Sequence, residues 1–359
     1  MRAIHNLYEG MAMTTMTDSR PSVVGGVDTH KDLHVAAVVD RAGRILGTAS
    51  FPNDTRGFRQ LRCWMARHGR IDRVGIEGTS SYGAGLSRHF MRAGVEVLEV
   101  CRHDRQRRRM KGKSDTVDAE AAARAALARD MVATPKSGVG RVEAIRALRI
   151  PRNSAMKART QVANQIHTLI DTAPDQLREQ LRGRKIAALV DEMSRWRPGP
   201  PTDPTEAHRY ALRLLARRWQ QLSGELADLD GHITELVQQT APELVAVRGV
   251  GIETAATLLV AAGDNPERLH REQGFAALCG VSPVDRSSGR QRHHSLNRGG
   301  NRDANRALWR IALVRMHCDP DTRAYVERRT KDGKSKKAII RCLKRYIARE
   351  IYPILLEST

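Results

Sequence analysis

From Ser22 onward, apolar runs of strand length and amphipathic stretches arrive in the order β-β-β-α-β-α-β-α. Val23-Val24-Gly25-Gly26-Val27-Asp28 reads as a buried strand that ends in a carboxylate. Leu33 to Asp40 reads as a second strand, Arg41-Ala42-Gly43-Arg44 as a turn, and Ile45 to Phe51 as a third strand. Phe58, Leu61 and Met65 give residues 55–68 helical spacing. Val74-Gly75-Ile76-Glu77 is another short strand that closes on a carboxylate. Ser81 to Ala93 suits a helix and Val95 to Val100 a further strand. The Ala-rich segment 115–129 suits a helix, with Ser114 at its N-cap.

This order lays the first and fourth strands side by side, so their carboxyl ends bring Asp28 and Glu77 together. Asp115 and Asp118 open the Ala-rich helix three residues apart, hence on one face. A helix start placed over the two strand ends completes a cluster of four carboxylates. Such a cluster repels itself unless cations neutralise it. With Mg²⁺ it becomes an oxygen-ligand site, and two ions there could stabilise the attacking and leaving oxygens of a phosphoryl transfer. The bland alternative is that Asp28 caps a turn and that Asp115 and Asp118 complement a helix N-terminus. The shared placement at strand and helix ends favours the metal site.

The remainder of the chain changes character. Helix formers dominate residues 141–240, and Leu212, Leu215, Trp219, Leu222, Leu226, Leu229, Ile233 and Leu236 follow one another in steps of three and four. That is a heptad seam, fit for an antiparallel helical arm or a dimerising coiled coil. A Pro-rich break occupies residues 197–204. A compact unit follows, in which Arg248-Gly249-Val250-Gly251 precedes the apolar helix Thr254 to Ala262. Gly249 and Gly251 suit either a hairpin whose N–H groups grip a nucleic-acid phosphate or a plain turn between helices. In the last segment, Ile339, Ile340, Leu343 and Ile347 stand among many cations, as in a helix that docks one face and offers a basic one.

Charge narrows the partners. Lys and Arg outnumber Asp and Glu by 61 to 40, for a net charge of +21, which points to a polyanion. Arg105, Arg107, Arg108, Arg109, Lys111 and Lys113 crowd the stretch directly before Ser114, where they are placed to hold nucleic acid across the carboxylates. No apolar run approaches the roughly 20 residues of a membrane span. The N-terminus has no apolar signal region, and residues 1–21 read as a loose extension in which Met13 or Met16 offers another start. Five scattered cysteines without a CxxC pair indicate neither a disulfide framework nor a structural zinc site. A cytoplasmic, nucleoid-associated protein is expected.

Val27-Asp28-Thr29-His30-Lys31-Asp32, Ile76-Glu77-Gly78-Thr79 and Ser114-Asp115-Thr116-Val117-Asp118-Ala119 resemble the three acidic blocks of the insertion-sequence DEDD transposases (the “one-hundred-and-ten” family with its “eleven-eleven” branch). The resemblance continues through Arg248 to Gly251, Phe275 to Pro283, Ser287-Ser288-Gly289 and Asn297 to Asn301, and covers about residues 22–345. It implies an α/β-plus-α fold: an RNase H/RuvC-like domain with a mixed sheet, a helical coiled-coil arm, and a mainly helical C-terminal transposase domain with a helix-hairpin-helix-like element. The implied divisions are 1–21, 22–132, 133–240, 241–320 and 321–359. The family's activity is DNA recombination guided by a bridge RNA, with Mg²⁺ held by Asp28, Glu77, Asp115 and Asp118. A serine becomes covalently joined to DNA; by motif it is Ser288, with Ser287 as the second choice. Metal-bound acids of the first domain would activate that serine if the two domains meet. Arg286, Arg290, Arg292 and Arg298, with Lys336 and Lys337 further on, are expected to meet nucleic acid. The resemblance implies a homo-oligomer, dimer or tetramer, and no nucleotide cofactor, since a phosphoserine link conserves the energy of the broken ester. The rivals are a hydrolytic junction resolvase using the same acids, a non-catalytic nucleic-acid scaffold, and an actin-like kinase, which +21 suits poorly.

Overall fold

The computed structural model describes residues 20–100, 114–285, 294–297 and 299–358. The chain divides into two compact units, residues 1–135 and 136–359.

The first unit is built on a six-stranded sheet, β1 (Ser22–Thr29), β2 (Leu33–Val39), β3 (Ile45–Pro52), β4 (Arg70–Glu77), β5 (Glu96–Val100) and β6 (Val132–Ala133), in the order β3-β2-β1-β4-β5-β6. β1, β2 and β3 pair antiparallel, β1 with β4 and β4 with β5 pair parallel, and β6 returns antiparallel on β5. This is the RNase H/RuvC-like mixed sheet that the family resemblance implies. The central strand β1 is buried on both faces, which explains its unbroken apolar run.

Strand alternation decides what each face carries. Val23 and Val27 of β1, with Val74 and Ile76 of β4, face a core completed by Leu61 and Met65 of helix Thr55–His68 and by Leu86 and Phe90 of helix Ala84–Arg92. The opposite face receives helix Asp115–Ala128, with Val24, Val39, Leu98, Ala123 and Ala126 in its core. Helix Ala84–Arg92 starts three residues later than its sequence suggests. Gly78, at φ +70°, begins a turn in which Ser81 N and Gly83 N both donate to Gly78 O. Ser114 does stand at the N-cap of the Ala-rich helix, but its side chain makes no capping bond.

The second unit is helical apart from the strand pair β7 (Pro283–Asp285) and β8 (His294–Leu296). Helix Arg141–Asp171 and helix Pro204–Thr240 lie antiparallel: Arg152 Nε donates to Asp230 Oδ1 at 2.5 Å, and Arg159 Nη1 to Ser223 Oγ at 3.4 Å. The long second helix starts where the Pro-rich break ends. Asp203 caps it, its carboxylate accepting from Thr205 N and Glu206 N. Part of the heptad seam is spent inside the chain. Leu212 and Ala216 are buried with Val162, Ile166 and Ile170 of the first helix and Leu189 and Met193 of helix Ile186–Met193, while Ile233 and Val237 enter the basal core. Of the two readings of that seam, the structure realises the antiparallel arm. Leu212, Leu226 and Ile233 of the seam are buried within the chain, while Leu215, Trp219, Leu222, Leu229 and Leu236 are partly exposed.

The basal core joins Val142 and Ile145 at the foot of the arm to helices Ile252–Ala262, Glu272–Leu278, Arg302–Cys318 and Lys336–Glu357. Ile339, Leu343, Ile347, Ile351 and Leu355 of the last helix are buried in it, the docked face that the amphipathic pattern predicts, and residues 321–359 fall within the second compact unit. No described helix is long and apolar enough to cross a membrane.

Candidate metal centre and nucleic-acid interface

The acids are positioned by a repeated local pattern. Gly26-Val27-Asp28 and Gly75-Ile76-Glu77 each place a glycine two residues before the carboxylate, on the same face of the sheet. Gly26 and Gly75 are paired in the β1–β4 register, as are Val27 and Ile76. A Cβ added at Gly26 would lie 2.0 Å from Ala123 N and 2.3 Å from Ala119 O, and one at Gly75 would lie 2.7 Å from Ala122 O. The two glycines therefore let the backbone of helix Asp115–Ala128 rest directly on the strands. Its alanines, buried at 119, 122, 123, 125 and 126, give it the matching small surface. One turn before Ala119 and Ala122, Asp115 and Asp118 then reach the strand ends.

The resulting cluster gathers around Asp28, which is only 7% exposed and so feels its neighbours with little screening from water. Burial is the main cause that raises its carboxyl above the ordinary aspartate value. Glu77, Asp118 and Asp115 each raise it further by like charge, while His30 opposes them. His30 Nε2 stands 3.1 Å from Asp28 Oδ2 and 3.4 Å from Asp115 Oδ1. Ligand atoms of Asp28, His30 and Asp115 all lie within 4.8 Å of one another, as the donors of one cation would. Asp28 and Asp115 share this donor group, while Glu77 and Asp118 act on Asp28 through their charge.

Surrounding bonds fix the strand ends. Thr29 Oγ1 donates to Glu77 O at 2.8 Å and ties β1 to β4 just beyond the acids. His30 N donates to Leu33 O at 3.1 Å, and Asn53 Nδ2 donates to Lys31 O at 3.0 Å, closing the turn that carries His30. His30 and Asn53 escaped the sequence reading. His30 had a signal, its position two residues past Asp28, but a lone histidine in a turn looks like ordinary polar surface. The donor set fits a divalent cation: short carboxylates rich in oxygen, one imidazole, and a buried anion whose neighbours are further anions.

The remaining predicted positions divide into two groups. Arg105, Arg107, Arg108, Arg109, Lys111, Lys113, Arg286, Ser287, Ser288, Arg290, Arg292 and Arg298 lie outside the described residues. Gly249, Gly251, Lys336 and Lys337 are described. Gly249 adopts φ +81°. Val250 N donates to Val247 O at 3.0 Å and Gly251 N to Thr254 Oγ1 at 2.9 Å. Val250 N and Gly251 N are thus engaged inside the turn that joins the two helices. Arg248 there bonds to Asp319 Oδ1 at 2.5 Å, and its carbonyl accepts from Arg315 Nε at 2.7 Å. Lys336 and Lys337 are exposed in the first turn of the last helix.

The pair β7–β8 brackets in sequence the segment that carries Ser287 and Ser288. Its base is held by close backbone crossing. Gly280 and Gly300 both have positive φ, and a Cβ at Gly280 would lie 2.6 Å from Gly299 O, one at Gly300 2.6 Å from Leu278 O. Neither position admits a larger residue.

An RNase H/RuvC-like sheet with a cluster of acids at its strand ends, followed by a helical unit, is the two-part layout of a DEDD transposase. A family model described as “Transposase”, of the DEDD IS110 type, matches residues 25–173, and one described as “Transposase IS116/IS110/IS902 family” matches residues 241–327. The chain belongs to the IS110 family of transposases. Among its relatives, a 43.6 kDa protein of insertion element IS110 from Streptomyces coelicolor is 33% identical over 180 residues, 48% of this chain and 42% of the relative. A 42 kDa protein of insertion element IS900 from Mycobacterium paratuberculosis is 28% identical over 151 residues, 41% of this chain and 37% of the relative. The matches thus span less than half the length of these two relatives. A candidate transposase of the IS117 mini-circle, from Streptomyces coelicolor, aligns at 25% identity over 377 positions, covering 89% of this chain and 90% of the relative.

Proposed function

We propose that the protein cuts and rejoins DNA strands to move an insertion sequence, using Mg²⁺ at the acid cluster and Ser288 as the group that becomes joined to DNA. The observation that carries this reading is the convergence of Glu77, Asp115, Asp118 and His30 on the buried Asp28 carboxylate. Asp28, Glu77, Asp115 and Asp118 would hold the metal. When bound, it would neutralise charge on a phosphodiester and on the oxygens that attack and leave it. His30 Nε2, buried beside Asp28 and Asp115 without a hydrogen-bond partner of its own, would join them in facing that cation.

In the covalent step, Ser288 Oγ forms a bond to phosphorus as one backbone P–O bond breaks. The serine loses its proton, and the departing strand oxygen, which takes the electrons of the broken P–O bond, gains one to become a hydroxyl. A strand hydroxyl then attacks the phosphoserine, restoring a phosphodiester and freeing the serine. One ester replaces another at each stage, so no nucleotide cofactor is needed. The net charge of +21 supports DNA as the polyanion held. Guidance by a bridge RNA and assembly into a dimer or tetramer are part of this reading on the strength of the family alone.

The test is to trap the intermediate. Protein expressed with its native flanking DNA is mixed with Mg²⁺ and labelled junction DNA, then denatured and digested. A peptide–DNA adduct at Ser288 that vanishes in Ser288→Ala and Asp28→Asn is expected. Cut DNA without an adduct would replace this reading with a hydrolytic nuclease, and an adduct at Ser287 would move the nucleophile by one residue.

A further inference from the structure

Beside Asn297, Gly299 and Asn301, the second unit contains a cavity of about 350 Å³. Four cations line it: Arg302 from one helix and Lys337, Arg341 and Lys344 from another. No carboxylate is among its described lining residues. A neighbouring cavity of about 280 Å³ shares Arg341 and Lys344 with it. The combined space is of the size that takes small ligands, roughly 300–1,000 Å³.

Several other cations of this unit are matched by carboxylates. Arg315 bonds to Glu350 at 2.7 Å, Arg149 to Glu253 at 2.6 Å, and Arg345 to Glu272. Lys344 is different. It is only 8% exposed, and its Nζ donates to the neutral amide oxygen of Asn305 at 2.9 Å. Asn305 is itself anchored, donating to Cys279 O at 2.8 Å and Gly280 O at 3.2 Å. An ammonium has three protons to donate and is costly to bury without an anion. Burial, with Arg341 close by, holds the Lys344 ammonium below the ordinary lysine value, as expected where cations gather without counter-charge.

The same cavity is walled by Trp309, an indole left 44% exposed. Phosphate-sized positive charge beside an open aromatic face is the combination that holds single-stranded nucleic acid, where every base offers a π-face and duplex bases do not. We propose that this cavity binds one unpaired nucleotide: Arg302, Lys337 and Arg341 take the phosphate oxygens above Lys344, and the base stacks on Trp309. The site rests on the nucleic-acid reading given above and adds to it an unpaired base as the thing recognised. The recognised chemistry is common to a displaced DNA strand and an RNA loop.

The test uses full-length protein carrying Asp28→Asn, so that no strand is cut. It is titrated with labelled oligo(dT), with oligo(rU) and with duplex DNA at several salt concentrations. Trp309→Ala is expected to weaken single-strand binding about tenfold, and Trp309→Phe to restore most of it, because a ring still stacks. Arg341→Gln is expected to lower the slope of log affinity against log salt by about 0.7. Both side chains are exposed, so thermal melting should not move. Effects confined to oligo(dT) assign the site to a DNA strand, effects confined to oligo(rU) to RNA, and effects on both to either; each supports the site. Unchanged single-strand binding and salt slope in both variants, or losses seen only with duplex, would overturn it. If Asp28-intact protein still forms the serine adduct in that case, the proposed function stands without this site. If the adduct never forms but Trp309 and Arg341 behave as expected, the site stands and the recombination mechanism falls.

Discussion

The acid cluster of the first unit and the cation-lined cavity of the second gather like charges by opposite means. The acids have short side chains, so the backbone must bring them together. Gly26 and Gly75 allow helix Asp115–Ala128 to lie directly on β1 and β4, and the four carboxylates follow from that contact. The cations stand on two helices that pack against each other for other reasons, and their long side chains reach a common space without the backbone being shaped around it. The first device suits a cation that needs ligands at fixed distances. The second suits a flexible chain of phosphates, where each cation can adjust to the strand. The acid cluster should therefore be sensitive to any change in the backbone beneath it, and the cavity mainly to its own side chains.

The largest effect should come from the centre of the cluster. Asp28→Asn removes the buried anion on which the others converge and should lower strand cleavage by at least about a hundredfold. The same variant should melt at a higher temperature than wild type in EDTA. The environment of Asp28 disfavours its charge, chiefly by burial and then by Glu77, Asp118 and Asp115, and a neutral amide escapes that repulsion. Added Mg²⁺ should stabilise wild type, by about 2.7 kcal/mol at a hundred times its Kd, and leave Asp28→Asn nearly unchanged. Calorimetry with and without the metal separates the cases. A variant that melts lower in EDTA would mean that the cluster is held by its own hydrogen bonds and needs no cation.

Next in size is Gly26→Ala, which tests the backbone device itself. The new methyl would meet Ala123 N at 2.0 Å and Ala119 O at 2.3 Å. Both are backbone atoms and cannot swing aside, so the helix must lift. A loss of about 3 kcal/mol in urea unfolding is expected, together with loss of the Mg²⁺-induced stabilisation. A variant that unfolds earlier yet keeps its full response to the metal would show that the acids do not depend on this contact.

How far these features could be read in advance follows the same division. Asp28 and Glu77 were legible because apolar runs of strand length end at them, and the order of elements makes their strands neighbours. Asp115 and Asp118 were legible because three-residue spacing fixes a helix face. His30 was not, since nothing local distinguishes a turn histidine from a histidine beside a metal. The heptad seam from Leu212 to Leu236 was legible as an apolar helix face, but periodicity does not say what covers it. Here the cover is Val162, Ile166 and Ile170 of the same chain. The strands β6, β7 and β8 have two or three residues each, too few to show alternation. Lys344 was the least legible of all. In a segment dense with Lys and Arg, one that is buried has the same sequence context as those in water.

A smaller effect is expected at Asp319, where the second unit does fix a charge tightly. Its carboxylate accepts from Thr322 Oγ1 and N and from Arg248 Nη1, and these bonds, Thr322's first, hold it below the ordinary aspartate value. Asp319 also caps helix Pro320–Lys331. Asp319→Ala should cost about 1–2 kcal/mol, as lost helix caps do. Because the folded value is depressed, the difference between wild type and variant should be full above pH about 4, where the unfolded aspartate is ionised. It should close as the pH falls through the lower folded value. A gap that stays constant down to pH 2 would assign the loss to packing rather than to the carboxylate.

The smallest effect marks the limit of the comparison. Gly231 lies inside helix Pro204–Thr240, and a Cβ there would meet nothing within 4 Å. Unlike Gly26, it provides room for no neighbour; it only gives the unfolded chain more freedom to lose. Gly231→Ala should therefore stabilise the protein by about 0.5–1 kcal/mol, seen as a higher urea midpoint with an unchanged slope. The two substitutions are the same chemical change with opposite expected signs, and the space above the Cα decides between them. If Gly231→Ala instead destabilises, something covers that stretch of the arm in solution. A second copy of the chain would then be the first occupant to test, by measuring whether the loss disappears on dilution. The arm would in that case serve assembly through its outer face, since part of its inner seam is already filled by its own partner helix.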